Sequence, residues 1–143
     1  QTSDLTTNHG GIKQWIGEAA LSNLQSPITL DLNQPWPINN TTGIYTANTL
    51  HIVSWPLVVK FFAGVGKHLA SDGTLCIYGP FNYEGQFTSQ SNANFELWLK
   101  ERDPQSGIRD FEAILQLATQ AGLSLTKDHQ MPANNRLLEF VKH

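Results

Sequence analysis

The chain is short of the residues and patterns that would settle several functions at once. One cysteine, Cys76, and one methionine, Met131, stand among 143 residues, so neither a disulfide framework nor a cysteine-rich zinc site is available. The five histidines show no metal-ligand spacing, and no metal is expected. Positive charge is scarce as well: nine Lys and Arg against twelve Asp and Glu give a net charge of −3. A sequence-independent nucleic-acid binder carries a basic face, so this balance argues against that class of partner. No run of like charges exceeds two residues, which leaves no polybasic membrane anchor. The longest apolar stretch, Trp55 to Leu69, is broken by Lys60, Lys67 and His68, so nothing reads as a bilayer span. No signal-peptide pattern is present, and the absence of an initiator Met points to processing, trimming or a fragment. Cys76 falls inside an apolar run and reads as a small core residue in a reducing, cytoplasmic setting. Finally, no glycine-rich strand-turn-helix unit of the kind that cradles a nucleotide occurs anywhere. Gly64-Val65-Gly66-Lys67 imitates a phosphate loop, but it lies within a helical pattern and continues with His68.

What is present is the alternation of an α/β domain. With 40% hydrophobic and 15% charged residues the chain is globular, and its length suits one domain over residues 1–143. Gly11 to Ala20 places Ile12, Trp15, Ile16 and Ala19 at helical spacing, and Ile28 to Leu32 is a short β-forming run. Gly43 to Ile52 reads as a buried strand running into a turn. Ser54-Trp55-Pro56 then opens a helix whose stripe is Leu57, Val58, Phe61, Phe62, Val65 and Leu69, with Asp72-Gly73 as its stop. Thr74 to Tyr78 is a further buried strand. Phe81 to Asn94 is a long polar and aromatic connection of the kind that often carries function. A short helix over Asn94 to Arg102 and a clearer one over Ile108 to Ala121 follow, the second beginning at Arg109-Asp110. Leu123–Thr126 and Leu137–Val141 are closing strands. This order predicts a largely parallel sheet covered on both faces, with Ile44, Leu75, Ile77, Phe61, Phe62, Ile114 and Leu115 in the core.

Three blocks carry a resemblance: Ala47-Asn48-Thr49-Leu50-His51-Ile52 with Trp55; Tyr78-Gly79-Pro80-Phe81 continuing to Ser91-Asn92-Ala93 and Phe95; and Arg102-Asp103-Pro104 with Gly107-Ile108-Arg109-Asp110, then Met131-Pro132-Ala133-Asn134-Asn135. Together they resemble a family of small class I S-adenosylmethionine-dependent methyltransferase-like proteins, catalogued as domain of unknown function 938 and including the methyltransferase-like 26 type. The likeness runs from about Gln1 to the C-terminus, and the Pro-Ala-Asn-Asn block is its most specific part. Thr42 departs from it, standing where relatives carry an Asp. The resemblance implies a Rossmann-like sheet with its last strand antiparallel, whose N-terminal first strand, first helix and glycine-rich motif lie outside these residues.

Site roles follow from the same resemblance. Asp4, after the second strand of that fold, falls where an acidic side chain accepts the ribose hydroxyls of S-adenosylmethionine. Asp31, after the third, falls where the adenine is met; for both, a turn or cap role competes. Asn48 and His51 follow the fourth strand, near the reactive methyl group, with Asn48 at the edge of the cofactor position. His51 could take a proton from an oxygen or nitrogen nucleophile, or merely cap the strand. Tyr78, Phe81, Tyr83, Asn92, Arg109, Asn134 and Asn135 would surround a small organic acceptor; the competing readings are a loop packed on its own core, an Arg109–Asp110 ion pair and ordinary turn chemistry.

Two functions from different classes remain open at this point. One is a methyltransferase-like enzyme, active in its complete form, with these 143 residues alone expected to be inactive. The alternative is a non-catalytic relative acting as an oligomeric binding module. Without the family's central first strand, the Gly43–Ala47 strand becomes an open apolar edge, which predicts a homodimer or association through it.

Overall fold

The computed structural model describes all residues from Gln1 to His143, and they fall into two compact units, Gln1–Asn39 and Asn40–His143. In the first unit, β1 (Ser3–Asp4) and β2 (Ile28–Thr29) form a parallel pair, with Asp4 opposite Thr29. The Leu30 N–H extends the ladder by donating to the Asp4 carbonyl at 3.0 Å. Between the strands lie a turn at Thr6–Asn8 and α1 (His9–Ala19), which ends at Ala20 in the left-handed region at φ 47°. The spacing predicts Trp15 on a buried stripe, yet its ring is 73% exposed and α1 buries no residue. Periodicity fixes which side chains share a face; it does not supply a surface to cover that face.

The second unit is built on a four-stranded sheet of β3 (Thr41–Ala47), β4 (Leu69–Gly79), β7 (Leu123–Gln130) and β8 (Arg136–Lys142), in spatial order β3-β4-β8-β7. β3 and β4 are parallel, and β8 runs antiparallel to both β4 and β7. The last strand is thus antiparallel and inserted inside the sheet. In β4 the pleat buries Leu69, Gly73, Leu75, Ile77 and Gly79, while Cys76 and Tyr78 between them are half-buried. Asp72-Gly73 does not stop the preceding helix but bends this strand: Asp72 has φ 62°, and a Cβ on Gly73 would lie 2.8 Å from the Ala70 carbonyl oxygen. From β8, Leu138 and Phe140 complete the same face opposite Ile77 and Leu75.

Helix α2 (Trp55–His68) starts after the extended Ser54, with Pro56 in its first turn, where no N–H is needed. Its Val58, Phe61, Phe62 and Val65 are buried, each such side chain contributing about 1.5–3 kcal/mol by leaving water. The Lys142 ammonium donates to the carbonyls of Gly66 and Leu69, fixing the end of α2 to β8. Helix α4 (Phe111–Gln120) buries Ile114 and Ala118. Ile44 and Leu115, expected in the core, are only half-buried; Ile44 lies on a strand with one neighbour, and Leu115 lies beside rather than on the buried line of α4. Helix α3 (Gln90–Arg102) begins earlier than Asn94 because the Ser89 hydroxyl caps it, accepting from the Asn92 N–H at 3.1 Å. Arg109–Asp110 likewise is not the start of a helix. It forms a short strand, β6, parallel to β5 (Phe81–Asn82). No helix is long and apolar enough to cross a membrane.

Candidate functional site

In each unit, polar side chains lie at or just past the carboxyl ends of its parallel strands. In the first unit, Asp4 ends β1 and Asp31 follows β2. The Asp4 Oδ1 accepts from the Leu5 N–H at 2.6 Å and from Asn8 Nδ2 at 2.9 Å, and the Asp31 Oδ1 accepts from the Asn33 N–H at 2.8 Å. Each carboxylate therefore does turn work with one oxygen, so Asp4 does not present both oxygens unengaged, as simultaneous acceptance of two vicinal hydroxyls would need. The turn bonds fix its orientation and leave Oδ2 with its acceptor capacity.

In the second unit the loop after β3 carries Asn48 and His51. Asn48 is held in the left-handed region at φ 53°, with its N–H donating to the Tyr78 carbonyl at 2.9 Å. Such a conformation suits Asn better than most side chains. His51 is 4% exposed. Its ring meets the Phe95 ring edge-on at 5.5 Å between centroids, and it faces Gly79, where a Cβ would stand 3.4 Å from Nδ1. Burial, and secondarily the Arg109 charge, lower its pKa to about 4, so the imidazole is neutral at pH 7.

Arg109 is what holds this loop. Its guanidinium donates to the carbonyls of Leu50 at 2.9 Å, Val53 at 2.6 Å and Gln105 at 3.0 Å, and lies over the Trp55 ring at 5.8 Å. The Gly107 N–H adds a bond to the His51 carbonyl at 2.9 Å, and the Ser106 hydroxyl one to the Ile52 carbonyl at 2.5 Å. Asp110 is exposed and takes no part. In place of the ion pair weighed from sequence, Arg109, Gly107 and Ser106 together engage the four carbonyls of residues 50–53, and Arg109 also that of Gln105.

The other pocket candidates divide into two clusters. Asn92, 5% exposed, donates through Nδ2 to Thr88 Oγ1 at 3.1 Å and to the Asn134 carbonyl at 3.4 Å, while Asn134 Nδ2 donates to Ser91 Oγ at 3.1 Å. Asn135 Nδ2 donates to the Tyr78 hydroxyl at 3.2 Å, tying this turn to β4. Ala133 and Asn134 both sit at positive φ, 57° and 58°. Tyr83 belongs elsewhere: its hydroxyl donates to Asp128 Oδ2 at 2.8 Å, its ring stacks on Phe111, and Arg136 pairs with the same carboxylate at 2.7 Å. Burial and the bond to Asp128 push the Tyr83 hydroxyl pKa well up. Tyr83 thus braces the β7–β8 hairpin, and Phe81 is buried in the β5–β6 pair.

Sequence reasoning missed Asn82. It is 9% exposed, and its Oδ1 is a buried side-chain atom with no hydrogen-bond partner. An orphaned buried acceptor costs about 1–3 kcal/mol, and nothing in a sequence marks one. Phe95, which orients His51, was visible only as part of the resemblance.

Residues 1–142 match the family described as "Protein of unknown function (DUF938)". The chain belongs to that family. Among solved structures it is similar to an O-methyltransferase family protein from Burkholderia thailandensis, with TM-score 0.86 at 15% identity, covering 98% of this chain and 42% of that one. An O-methyltransferase family 2 protein from Planctomyces limnophilus, in complex with apigenin, gives TM-score 0.86 at 16% identity, covering 99% of this chain and 42% of that one. An O-methyltransferase from neocarzinostatin biosynthesis, in complex with S-adenosylhomocysteine and 1,4-dihydroxy-2-naphthoic acid, gives TM-score 0.79 at 16% identity, with 99% and 41% covered. The DUF938 chain therefore has a class I methyltransferase-like fold and spans less than half the length of these neighbours.

Proposed function

We propose that this DUF938 chain contributes to an S-adenosylmethionine-dependent methyltransferase acting on a small organic acceptor. One observation carries the reading: within the first unit Asp4 and Asp31, and within the second Asn48 and His51, lie at or just past the carboxyl ends of that unit's parallel strands, the kind of position at which open α/β sheets bind ligands. Asp4 and Asp31 fit the nucleoside part of the cofactor, since each keeps an oxygen able to accept from a ribose hydroxyl or an adenine amine. When bound, the cofactor supplies an electrophilic methyl group. The chain's own contribution is alignment. A neutral His51, held by Phe95, Gly79 and the Arg109 clamp, can accept a hydrogen bond from an O–H or N–H elsewhere on the acceptor and so orient it. At a pKa of about 4 it is a weak base, so orientation outweighs net proton removal.

Calorimetric titration with S-adenosylhomocysteine tests this reading, using the longest natural chain that contains these residues. Micromolar binding is expected there, and weak or no binding by residues 1–143 alone, which carry no glycine-rich motif for the methionine portion. No binding by the longer chain would remove the reading.

A second reading rests on a different observation. β3 has a strand partner on one side only, and Tyr45 on it is 66% exposed. An open edge of this length templates another strand, which would make the protein a homodimeric or strand-accepting module.

A further inference from the structure

One buried side-chain atom of the second unit has no hydrogen-bond partner. Asn92 reaches Thr88 and Asn134, and Ser106 reaches the Ile52 carbonyl, but the Asn82 Oδ1 has no partner while lying out of reach of bulk water. Asn82 stands at a telling place. It is the second residue of β5, which leaves the carboxyl end of β4 directly after Gly79-Pro80, and Gly79 is the residue against which His51 rests. β5 is paired on one side, with β6, where Arg109 opposite Phe81 clamps the His51 loop and Asp110 lies opposite Asn82. A leucine would fill nearly the same volume with no unpaired acceptor, so folding alone does not account for an amide here.

We propose that the Asn82 side-chain carbonyl is a recognition group of the acceptor site, taking a hydrogen bond from a neutral O–H or N–H of the molecule to be methylated. The inference rests on the methyltransferase reading and narrows it to acceptors that present such a donor. The amide is uncharged, and a buried cationic donor would need a counter-charge that an amide cannot give. A neutral hydroxyl or secondary amine meets the site without that cost. Methylation of the same atom removes its hydrogen, so the product loses this bond and leaves more readily than the substrate.

Phenol and anisole are the probes: equal rings, one with the O–H and one with it methylated. Their affinities for the longest natural chain and its Asn82→Leu variant are measured by NMR titration, following the Asn82 side-chain amide in the wild type. Phenol is expected to bind at least tenfold more tightly than anisole in the wild type, and within twofold of it in Asn82→Leu, whose melting temperature equals or exceeds the wild type. Equal binding of the two probes to the wild type, no binding of either, or a phenol preference that survives in Asn82→Leu would each overturn the proposal. Should Asn82→Leu fail to fold, Asn82→Ala serves with the same criteria. Loss of S-adenosylhomocysteine binding with the phenol preference intact refutes the methyl-transfer reading instead, and the reverse pattern refutes the role of Asn82 alone.

Discussion

His51 makes stability depend on pH in a direction and range that the structure fixes. The imidazole is 4% exposed, and burial first, then the Arg109 charge, lower its pKa from 6.5 to about 4. In the unfolded chain the same group titrates at its ordinary value, so between pH 6.5 and about 4 the unfolded state binds a proton that the native state refuses. Stability from this source is complete above pH 6.5, falls as the medium is acidified, and is fully spent near pH 4. Roughly two and a half pKa units at 1.36 kcal/mol each amount to about 3 kcal/mol, a large part of the stability of a small domain. Urea unfolding of the wild type and of His51→Gln at half-unit steps from pH 7.5 to 4 isolates the effect, because the other titrating groups cancel in the difference. The difference curve should change by about 3 kcal/mol across that range, with the larger acid sensitivity in the wild type. An NMR titration placing the His51 ring near 6.5, or a flat difference curve, would refute the reasoning.

Arg109→Met removes the clamp on Leu50, Val53 and Gln105; with bonds to charged groups worth about 1.5–3 kcal/mol each and partial exposure discounting them, a loss of about 2–4 kcal/mol by denaturant unfolding is expected. In the same variant the His51 pKa should rise only part of the way to its ordinary value, because burial is the larger cause, as proton NMR would show. Asp128→Asn weakens the pair with Arg136 and the acceptor for Tyr83, and should lower thermal stability by about 1–2 kcal/mol; an unchanged melting temperature counts against the brace. Asp4→Ala and Asp31→Ala should each weaken S-adenosylhomocysteine binding to the longer chain by about 1–3 kcal/mol, and no change in calorimetry would take that residue off the site. If β3 accepts a second copy, light scattering of the chain will give twice the 15.9 kDa chain mass, and Tyr45→Lys will return it to monomer.

Much of the second unit was legible because its residues obey simple periods. Val58, Phe61, Phe62 and Val65 repeat at helical spacing, Leu75 and Ile77 alternate, and both patterns end in burial. What was not legible depends on partners distant in sequence. β5 and β6 are two-residue strands that exist only by pairing with each other across the α3 helix, so Arg109–Asp110 read as a helix start. Trp15 shows the converse: a correct helix, with nothing to cover its indole. For the site, the block around His51 was visible as a motif, but neither the Arg109 clamp nor the orphaned Asn82 could be inferred from the order of residues, since hydrogen-bond satisfaction is a property of the packed state. Asp4 and Asp31 turned out to share their carboxylates with turn donors, which a list of acidic positions cannot reveal.

The insertion of β8 between β4 and β7 has a consequence for how the protein is made. A strand that follows all of its neighbours in the chain leaves the ribosome last, so β4 and β7 are synthesised as strands facing a gap. Until Arg136–Lys142 emerges, Leu75 and Ile77 lack the Phe140 and Leu138 that sit opposite them, and β7 has no partner at all. The nascent chain therefore passes through an interval with two unpaired strand edges, that of β4 apolar, the state in which chaperones engage and chains misassociate. Slow translation or a stall within the β7–β8 hairpin would lengthen that interval, and polar replacements at Leu138 or Phe140 would act on yield during synthesis before they act on the finished fold.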